Sequence, residues 1–307
     1  MQPTTLQEAI RYFSNEEVCV QFVSAMRWPD GIACPRCQAK AISYLKSRHV
    51  WQCKGCRKQF SVKAGTIFED SPIKLNQWLC AMWLLVNAKN GISSYEVGQA
   101  LGVTQKTAWF MMHRIRLALQ QGSLTRKLTG EVEADETYIG GKARNMHKDK
   151  QANALKAEGY FRKAVVMGML ERDGEVRTKV LNVASAKVLA RETRANVEPG
   201  SILYTDELAS YTKVGQEYAH HVINHAQEYV RGNAHTNGIE NFWSLLKRGI
   251  KGTYVSVEPF HLFRYLDEQS FRFNTRKAND QSRFMGAVSS ITGKRVQYQE
   301  LIGQTTH

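Results

Sequence analysis

The sequence predicts a multidomain protein of mixed α+β and α/β class: a small metal-bound sheet, a helical region and a larger mixed sheet, in that order. Three observations support this prediction. Two Cys-x-x-Cys pairs lie within residues 34–56, apolar residues at helical spacing dominate residues 75–120, and strand-like runs begin near residue 127. With 307 residues the chain has room for two or three domains, one of them large enough for its own core.

The four cysteines of these pairs have the spacing of a metal site. Cys34 pairs with Cys37 and Cys53 with Cys56, and 15 residues separate the two pairs. Two such knuckles can close a tetrahedral thiolate site for one structural Zn²⁺. The strand-like residues between them predict a zinc ribbon, whose folding would be driven largely by metal binding because its core is small. The alternative is four unrelated buried cysteines. The basic residues around the pairs fit DNA binding and protein contact equally well.

The next region predicts a buried helix at residues 75–89 and then a helix-turn-helix. A capping-box pair starts a short helix at 94–101, Gly102 suits a tight turn, and Thr104 can cap a second helix that runs to about residue 120. A generic helical hairpin within a larger core is the alternative interpretation.

In the usual geometry of a helix-turn-helix, the start of the second helix enters the major groove of DNA. This geometry predicts that Gln105, Lys106 and Thr107 contact the bases. Arg114 and Arg116, further along the same helix, are candidates for contacts with phosphates.

The charge of the chain also favours a polyanionic partner, nucleic acid first. The net charge is +14, and residues 1–126 contain 16 Lys and Arg against 7 Asp and Glu. A generally basic protein without such a partner is the alternative. No apolar run approaches the roughly 18 residues of a membrane span, and the N-terminal residues lack the profile of a signal peptide. We therefore expect no membrane partner and a cytoplasmic protein with reduced cysteines, which associates with the nucleoid when bound to DNA.

From residue 127 the pattern changes from helices to strands. A first strand is predicted in KLTGEVEADETYI, and two more are joined by a hairpin turn at Asp173-Gly174. Further elements alternate between helix and strand: a helix at about 186–197, strands at 201–205 and 219–223, and helices at about 236–250 and 258–275. A three-stranded meander followed by alternating helix and strand describes the RNase H-like fold.

Three acidic residues have distinctive settings in this region. Asp135 and Asp206 each end a predicted strand, whereas Glu240 lies in a predicted amphipathic helix. At 100° per residue, Glu240 and Lys247 border the apolar face of that helix on the same side, two turns apart. The carboxylate could therefore point into a cleft with the lysine close to it. An ordinary charged pair beside a core helix is the alternative.

Three carboxylates that converge from two strand ends and a helix can hold two Mg²⁺ or Mn²⁺ ions, and such a pair can cut and rejoin a phosphodiester. Glu136 and Glu207 are competing ligands, but each directly follows an aspartate and would point elsewhere in an extended chain. His235 either lies near the site or has a structural role only. Arg248 and Lys251, just beyond Lys247, are further candidates for contacts with DNA.

Several segments of the chain resemble the ISXO-like transposases of bacterial insertion sequences. They are RWPDGIACPRC, ADETYIGGK, TDELASY and HTNGIENFWSLLKRGIKGTY. The resemblance covers roughly residues 15–300 and implies a zinc ribbon before a DDE-type, RNase H-like core. It implies Asp135, Asp206 and Glu240 as the metal-binding triad and Lys247 as the family's additional lysine.

The same resemblance implies an enzyme, a polynucleotidyl transferase and endonuclease. Such a transposase cuts double-stranded DNA at terminal inverted repeats and joins the 3′ ends to target DNA. Because two ends must be paired, a homodimer or a larger synaptic assembly is expected. Two other functions fit parts of the sequence: a zinc-ribbon and helix-turn-helix DNA-binding regulator with a silent core, and an RNase H-like structure-specific nuclease that joins nothing.

The predicted domain boundaries follow these changes of pattern. They define a helical lead-in (1–30), the zinc ribbon (31–70), the helix-turn-helix region (71–126), the RNase H-like domain (127–280) and a C-terminal tail (281–307). Within the fourth domain, the basic stretch 142–162 is predicted to be a loop that either touches DNA or serves as a linker.

Overall fold

The structure is a computed structural model that describes residues 2–120, 126–140, 163–206, 211, 214, 217–222 and 235–303. The predicted loop at 142–162 and Glu207 lie outside these described residues. The chain forms two compact units, one joining Met1–Gln121 to Thr275–His307 and the other comprising Gly122–Asn274. In the described residues, no helix has both the length and the apolar character needed to span a membrane.

The first unit contains seven α-helices, a short 3₁₀ helix (Lys46–Arg48) and one small sheet in its described part. The helices are α1 (Leu6–Tyr12), α2 (Glu16–Arg27), α3 (Leu75–Asn87), α4 (Ser94–Leu101), α5 (Gln105–Leu119), α9 (Asp280–Ser289) and α10 (Tyr298–Leu301). The strands β1 (Ile42–Leu45), β2 (Val50–Cys53) and β3 (Gln59–Ser61) form an antiparallel sheet in sequence order. This sheet holds both Cys-x-x-Cys pairs at one end.

An aromatic cluster forms much of the core of this unit. The ring of Phe284 on α9 contacts the rings of Phe13, Phe22 and Trp83, with centroids 5.0–6.0 Å apart. Aromatic pairs at this distance add to the hydrophobic stabilisation of burial. The segment 281–307, predicted as a tail, therefore contributes a helix to the core of the N-terminal unit.

The helices α4 and α5 have the bounds and caps that the sequence predicts. Ser93 and Glu96 form a capping box, and the side chain of Thr104 accepts a hydrogen bond from the N–H of Thr107. Between the helices Gly102 adopts a left-handed conformation with φ of 65°, which glycine accepts without a steric penalty. The two helices are joined by a tight turn and pack against each other and against α3.

The second unit is a five-stranded mixed sheet with helices on both faces. Its strands are β4 (Glu131–Ile139), β5 (Ala164–Glu171), β6 (Val176–Leu181), β7 (Ile202–Thr205) and β8 (Ala219–Val222), in the order β6-β5-β4-β7-β8. β4, β5 and β6 form the predicted antiparallel meander, and β7 runs parallel to both of its neighbours. The central strand β4 therefore has β5 on one side and β7 on the other.

Each face of this sheet has its own apolar core. One face carries Val132 and Ala134 of β4 and packs on α6 (Ala186–Asn196). The other face packs on α7 (Asn237–Arg248) and α8 (Leu262–Asn274), through residues that include Ile239 and Trp243. Because side chains alternate along a strand, odd-numbered residues of β4 face α7 and even-numbered residues face α6.

The two long helices predicted near the C-terminal end of this unit are shorter than expected. The helix predicted at 236–250 ends as α7 at Arg248 and continues as a π-helical turn, Gly249–Thr253. Two glycines in this turn lower its intrinsic preference for the α-helix. The helix predicted at 258–275 begins with a 3₁₀ turn, Pro259–His261, before α8.

Candidate functional site

The four cysteines of the ribbon converge as their spacing predicts. The Sγ atoms of Cys34 and Cys56 lie 3.7 Å apart, and those of Cys37 and Cys53 lie 3.5 Å apart. All four sulfur atoms lie within 4.8 Å of one another. Four free thiols at these distances fit a tetrahedral Zn²⁺ site, whose Zn–S bonds are about 2.3 Å long.

The backbone of the two knuckles explains this convergence. The residue after each pair, Gln38 and Arg57, adopts a left-handed conformation with φ of 59°. At Gly55 an added Cβ would lie 3.2 Å from the Cβ of Ala39 and 3.6 Å from the sulfur of Cys53, so the glycine lets the two knuckles approach closely. The two turns thus have matching geometry and direct their thiols to one point.

The register of β4 and β7 brings the two predicted aspartates side by side. The parallel pairing sets Glu131 opposite Ile202 and Glu133 opposite Tyr204. Two residues further along, the same register places Asp135 beside Asp206, the residue that directly follows β7. Both are half-buried. Asp206 follows the end of β7 as predicted, but the prediction that Asp135 ends its strand is wrong, because β4 continues to Ile139.

The carboxylate of Asp135 is held by two hydrogen bonds. The indole Nε1 of Trp243 donates to its Oδ2 at 2.8 Å, and the backbone N–H of Glu136 donates to its Oδ1 at 2.7 Å. Burial nevertheless raises the pKa of Asp135 to about 6, and the negative charge of Asp206 is the second cause that raises it, with a smaller contribution from Glu240. Asp206 and Glu240 therefore both lie within electrostatic reach of Asp135.

The helix α7 carries Glu240 in its first turn. The hydroxyl of Thr236 donates to Glu240 Oε1 at 2.9 Å, and the side chain of Glu240 is exposed. Trp243 and Lys247 follow at three and seven residues, on the same side of the helix. Lys247 is half-buried. The indole that binds Asp135 thus lies between the predicted third acid and the predicted lysine.

The competing ligand Glu136 faces away from Asp135. It accepts a hydrogen bond from the hydroxyl of Tyr211, which is buried in the core on the α6 face of the sheet. Asp135, by contrast, binds Trp243 on the α7 face. The two neighbouring acids therefore lie on opposite faces of the sheet.

A buried glutamate beside this site was not predicted from the sequence. Glu133 is 1% exposed and lies near Arg172 and His235, with its Oε1 at 3.1 Å from Arg172 Nε and 3.4 Å from His235 Nδ1. His235, predicted to be near the site or structural, thus contacts this glutamate. The alternation of EVEADE was an available signal, since it places Glu133 and Asp135 on one face of a strand.

The predicted base-contacting residues lie at the start of α5. Gln105 and Lys106 are exposed and Thr107 is half-buried. The amide of Gln105 donates to Ser94 Oγ at 2.8 Å, and Lys106 Nζ lies 4.8 Å from the ring centroid of Tyr298. Two of the three side chains are therefore accessible at the end of the helix that the sequence selected.

The prediction that Arg114 and Arg116 contact phosphates is corrected by their burial. Arg114 is 3% exposed and Arg116 is 1% exposed. Nη2 of Arg114 donates to the backbone carbonyl of Glu69 at 2.6 Å, and its guanidinium lies 5.5 Å from the ring centroid of Trp78. Both arginines belong to the packed interior of the first unit. Arg248 and Lys251, in contrast, are exposed at the end of α7 and in the turn after it.

Comparisons with known proteins cover most of both units. Residues 127–274 match the ISXO2-like transposase domain, and residues 14–59 match a transposase zinc-ribbon domain. An uncharacterized protein in the transposable element ISH50 of Halobacterium salinarum is 27% identical over 252 residues, which are 78% of this chain and 84% of that relative. A transposase-like protein of Haemophilus influenzae is 36% identical over 103 residues, 33% of this chain and 82% of that relative.

No solved structure matches this chain. The mixed sheet with helices on both faces confirms the predicted mixed class, and the zinc-ribbon match confirms the predicted ribbon. The assignment of the larger sheet to the RNase H-like fold stays a prediction.

Proposed function

Because the chain belongs to the family of ISXO2-like transposases, we propose that it cuts DNA at the terminal inverted repeats of an insertion sequence and joins the 3′ ends to target DNA. The observation that carries this proposal is the placement of Asp135 and Asp206 side by side, with Glu240 on the helix that binds Asp135 through Trp243. Three acids brought together on a sheet and a helix are suited to metal-dependent phosphodiester chemistry.

The donor set of this site fits hard divalent cations. It consists of carboxylate oxygens, which Mg²⁺ and Mn²⁺ prefer. Burial first, and then the negative charges of Asp206 and Glu240, raise the pKa of Asp135, and a bound cation would offset these effects. Two bound Mg²⁺ or Mn²⁺ ions would activate the attacking water or 3′-hydroxyl and stabilise the leaving oxygen.

The protein's own residues hold this arrangement in place. The indole of Trp243 and the N–H of Glu136 orient the two oxygens of Asp135, and Thr236 orients Glu240. Lys247, one turn beyond Trp243 on the same side of α7, would bind the phosphate at the scissile position. The ammonium acts there as a compact charge that neutralises phosphate oxygen.

We assign recognition of DNA to polar and basic residues of both units. We expect α4 and α5 to act as a helix-turn-helix, in which Gln105, Lys106 and Thr107 at the start of α5 would read bases. Arg248 and Lys251 would bind the backbone of the DNA beside the acids.

Pairing of two element ends requires at least two copies of the protein, so the functional form is a dimer or a larger assembly.

The proposal is tested by strand transfer with oligonucleotides that carry the inverted repeats flanking the gene. In Mg²⁺ the wild-type protein should release the 3′ end and join it to a target plasmid. Asp135→Asn, Asp206→Asn and Glu240→Gln should each reduce both steps by more than about 100-fold, beyond the usual effect of changing an outer-shell residue. DNA binding in a gel-shift assay should persist.

Glu136→Gln is the matched control because it changes the neighbouring acid on the opposite face of the sheet. It should keep cleavage and joining within an order of magnitude of wild type. Full joining by Asp135→Asn would refute the assignment of this acid. Cutting of branched DNA without joining would favour a structure-specific nuclease, and specific binding without any cutting would favour a DNA-binding regulator.

A further inference from the structure

Glu133 is a fully buried acid that the chemistry above does not use. It lies two residues before Asp135, on the same face of β4, and is 1% exposed. A buried carboxylate is strongly unfavourable unless it is paired and hydrogen-bonded. Its partners therefore show what it holds together.

One oxygen of Glu133 caps the start of the helix that carries Glu240. The backbone N–H of Ile239, in the first turn of α7, donates to Oε2 at 2.9 Å. The approach is so close that a Cβ on Gly238 would lie 2.8 Å from this oxygen and 2.6 Å from Leu170 Cδ2. A carboxylate at a helix N-terminus also interacts favourably with the helix dipole.

The other oxygen of Glu133 faces Arg172, which extends the contact to β7. Nε of Arg172 donates to Oε1 at 3.1 Å, and Nη2 donates to the carbonyl of His235 at 2.8 Å. The guanidinium also lies 4.1 Å from the ring centroid of Tyr204, two residues before Asp206. The ion pair of Glu133 and Arg172 thus touches the three elements that carry the three acids.

We infer that Glu133 is a positioning residue, which fixes the start of α7 against β4 and thereby sets the separation between Glu240 and Asp135. This inference rests on the proposed function of those acids as metal ligands. Two groups that donate hydrogen bonds to Glu133 are the Ile239 N–H and the Arg172 guanidinium. A carboxylate satisfies both, whereas a glutamine amide has a single acceptor atom and must leave one of them unpaired.

The test is the affinity of the full-length, zinc-loaded protein for Mn²⁺ without DNA. Electron paramagnetic resonance of the free ion measures it. Glu133→Gln should weaken Mn²⁺ binding about 10-fold or more, which is the usual effect of losing a residue that holds a metal ligand in place. Glu131→Gln is the matched control because Glu131 also binds Arg172 from β4, with a side chain that is 38% exposed. It should bind Mn²⁺ like wild type. Thermal unfolding establishes that each variant is folded at the temperature used.

Gly238→Ala provides a second way to disturb the contact between Glu133 and the start of α7, without altering any charge. Its methyl group would lie against the side-chain ends of Glu133 and Leu170, so it should displace the Glu133 carboxylate from the Ile239 N–H and also weaken Mn²⁺ binding about 10-fold. If Glu133→Gln does not fold, the Mn²⁺ affinity of Gly238→Ala tests the inference in its place. Wild-type Mn²⁺ affinity in a folded Glu133→Gln or Gly238→Ala protein would overturn the inference, and so would an equal loss in Glu131→Gln.

Failure of the proposed function would look different. In that case Asp135→Asn would bind Mn²⁺ as well as wild type does, whatever the result for Glu133. If Asp135→Asn loses Mn²⁺ and Glu133→Gln keeps it, the acids are ligands and only the positioning role of Glu133 is wrong.

Discussion

The indole of Trp243 donates a hydrogen bond to Asp135 across 2.8 Å and so joins the candidate catalytic helix to the central strand of the sheet. The same ring packs in the apolar core beside Phe242. One side chain therefore combines a packing role with the orientation of a carboxylate at the site.

Trp243→Phe should impair the site more than the fold. The phenyl ring keeps most of the apolar packing but leaves Asp135 Oδ2 without its indole donor. We expect strand cleavage and Mn²⁺ affinity to fall by about 10- to 100-fold, with a modest decrease in melting temperature. Trp78→Phe is the control, since Trp78 donates a comparable bond to Ser71 Oγ at 3.2 Å in the other unit. It should change stability without changing Mn²⁺ affinity.

Gly168→Ala should destabilise the second unit. Gly168 is the partner of Asp135 in β5, and a Cβ there would lie 2.5 Å from Cζ2 of Trp243 and 2.9 Å from Cδ1 of Ile239. Overpacking of this kind typically costs about 1–3 kcal/mol in the free energy of unfolding. Urea denaturation followed by tryptophan fluorescence measures this cost.

Gly286→Ala is the matched control for that substitution. Gly286 lies in α9, and a Cβ there would meet no heavy atom within 4 Å. Because alanine is the better helix former, this variant should be neutral or up to about 1 kcal/mol more stable. A Gly168→Ala protein as stable as Gly286→Ala would show that α7 can move off the sheet without loss.

Removal of zinc should unfold the ribbon. Cys37→Ser should abolish the one Zn²⁺ per chain that we expect by elemental analysis, because it removes one of four converging thiols. In zinc-finger peptides the metal contributes about 10–16 kcal/mol of binding free energy, which becomes folding free energy. Cys80→Ser is the control, because Cys80 lies on α3 and outside this cluster. A full zinc content in Cys37→Ser would contradict the four-cysteine site.

Lys106 and Arg114 should behave differently although both are basic residues of α5. Lys106→Ala should weaken binding to DNA and decrease the slope of log K against log salt by about 0.9, the value for one phosphate contact. Arg114→Gln should leave that slope unchanged. Its cost should appear as a loss of stability of about 1–3 kcal/mol, because the partly buried carbonyl of Glu69 loses its donor. A decreased slope in Arg114→Gln would restore the original prediction that it contacts phosphate.

The positions of the acids could be anticipated because they depend on local patterns. Asp206 ends one strand-like run and Asp135 lies within another, and the parallel pairing of those strands then brings them together. The side of α7 that carries Glu240 follows from the helical period alone. The convergence of the cysteines follows from their spacing in the same way.

The burial of individual side chains, and their contacts with residues distant in the chain, could not be anticipated from the same patterns. Arg114 and Arg116 have the sequence character of an exposed basic face, yet α5 is buried on most of its surface by other helices of its unit. Trp243 occupies a core position at helical spacing, so nothing local distinguishes it from Phe242. Glu133 could be placed on the face of Asp135, but its burial depends on Arg172, which lies 39 residues away in the chain.

The division of the chain into units has a consequence for its synthesis. Phe284, which completes the aromatic cluster with Phe13, Phe22 and Trp83, is translated only after the whole of Gly122–Asn274. On the ribosome the second unit, a continuous segment, can therefore reach its folded state before the first. Until α9 emerges, the apolar surface of α3 that it covers stays open to solvent, to chaperones and to other nascent chains.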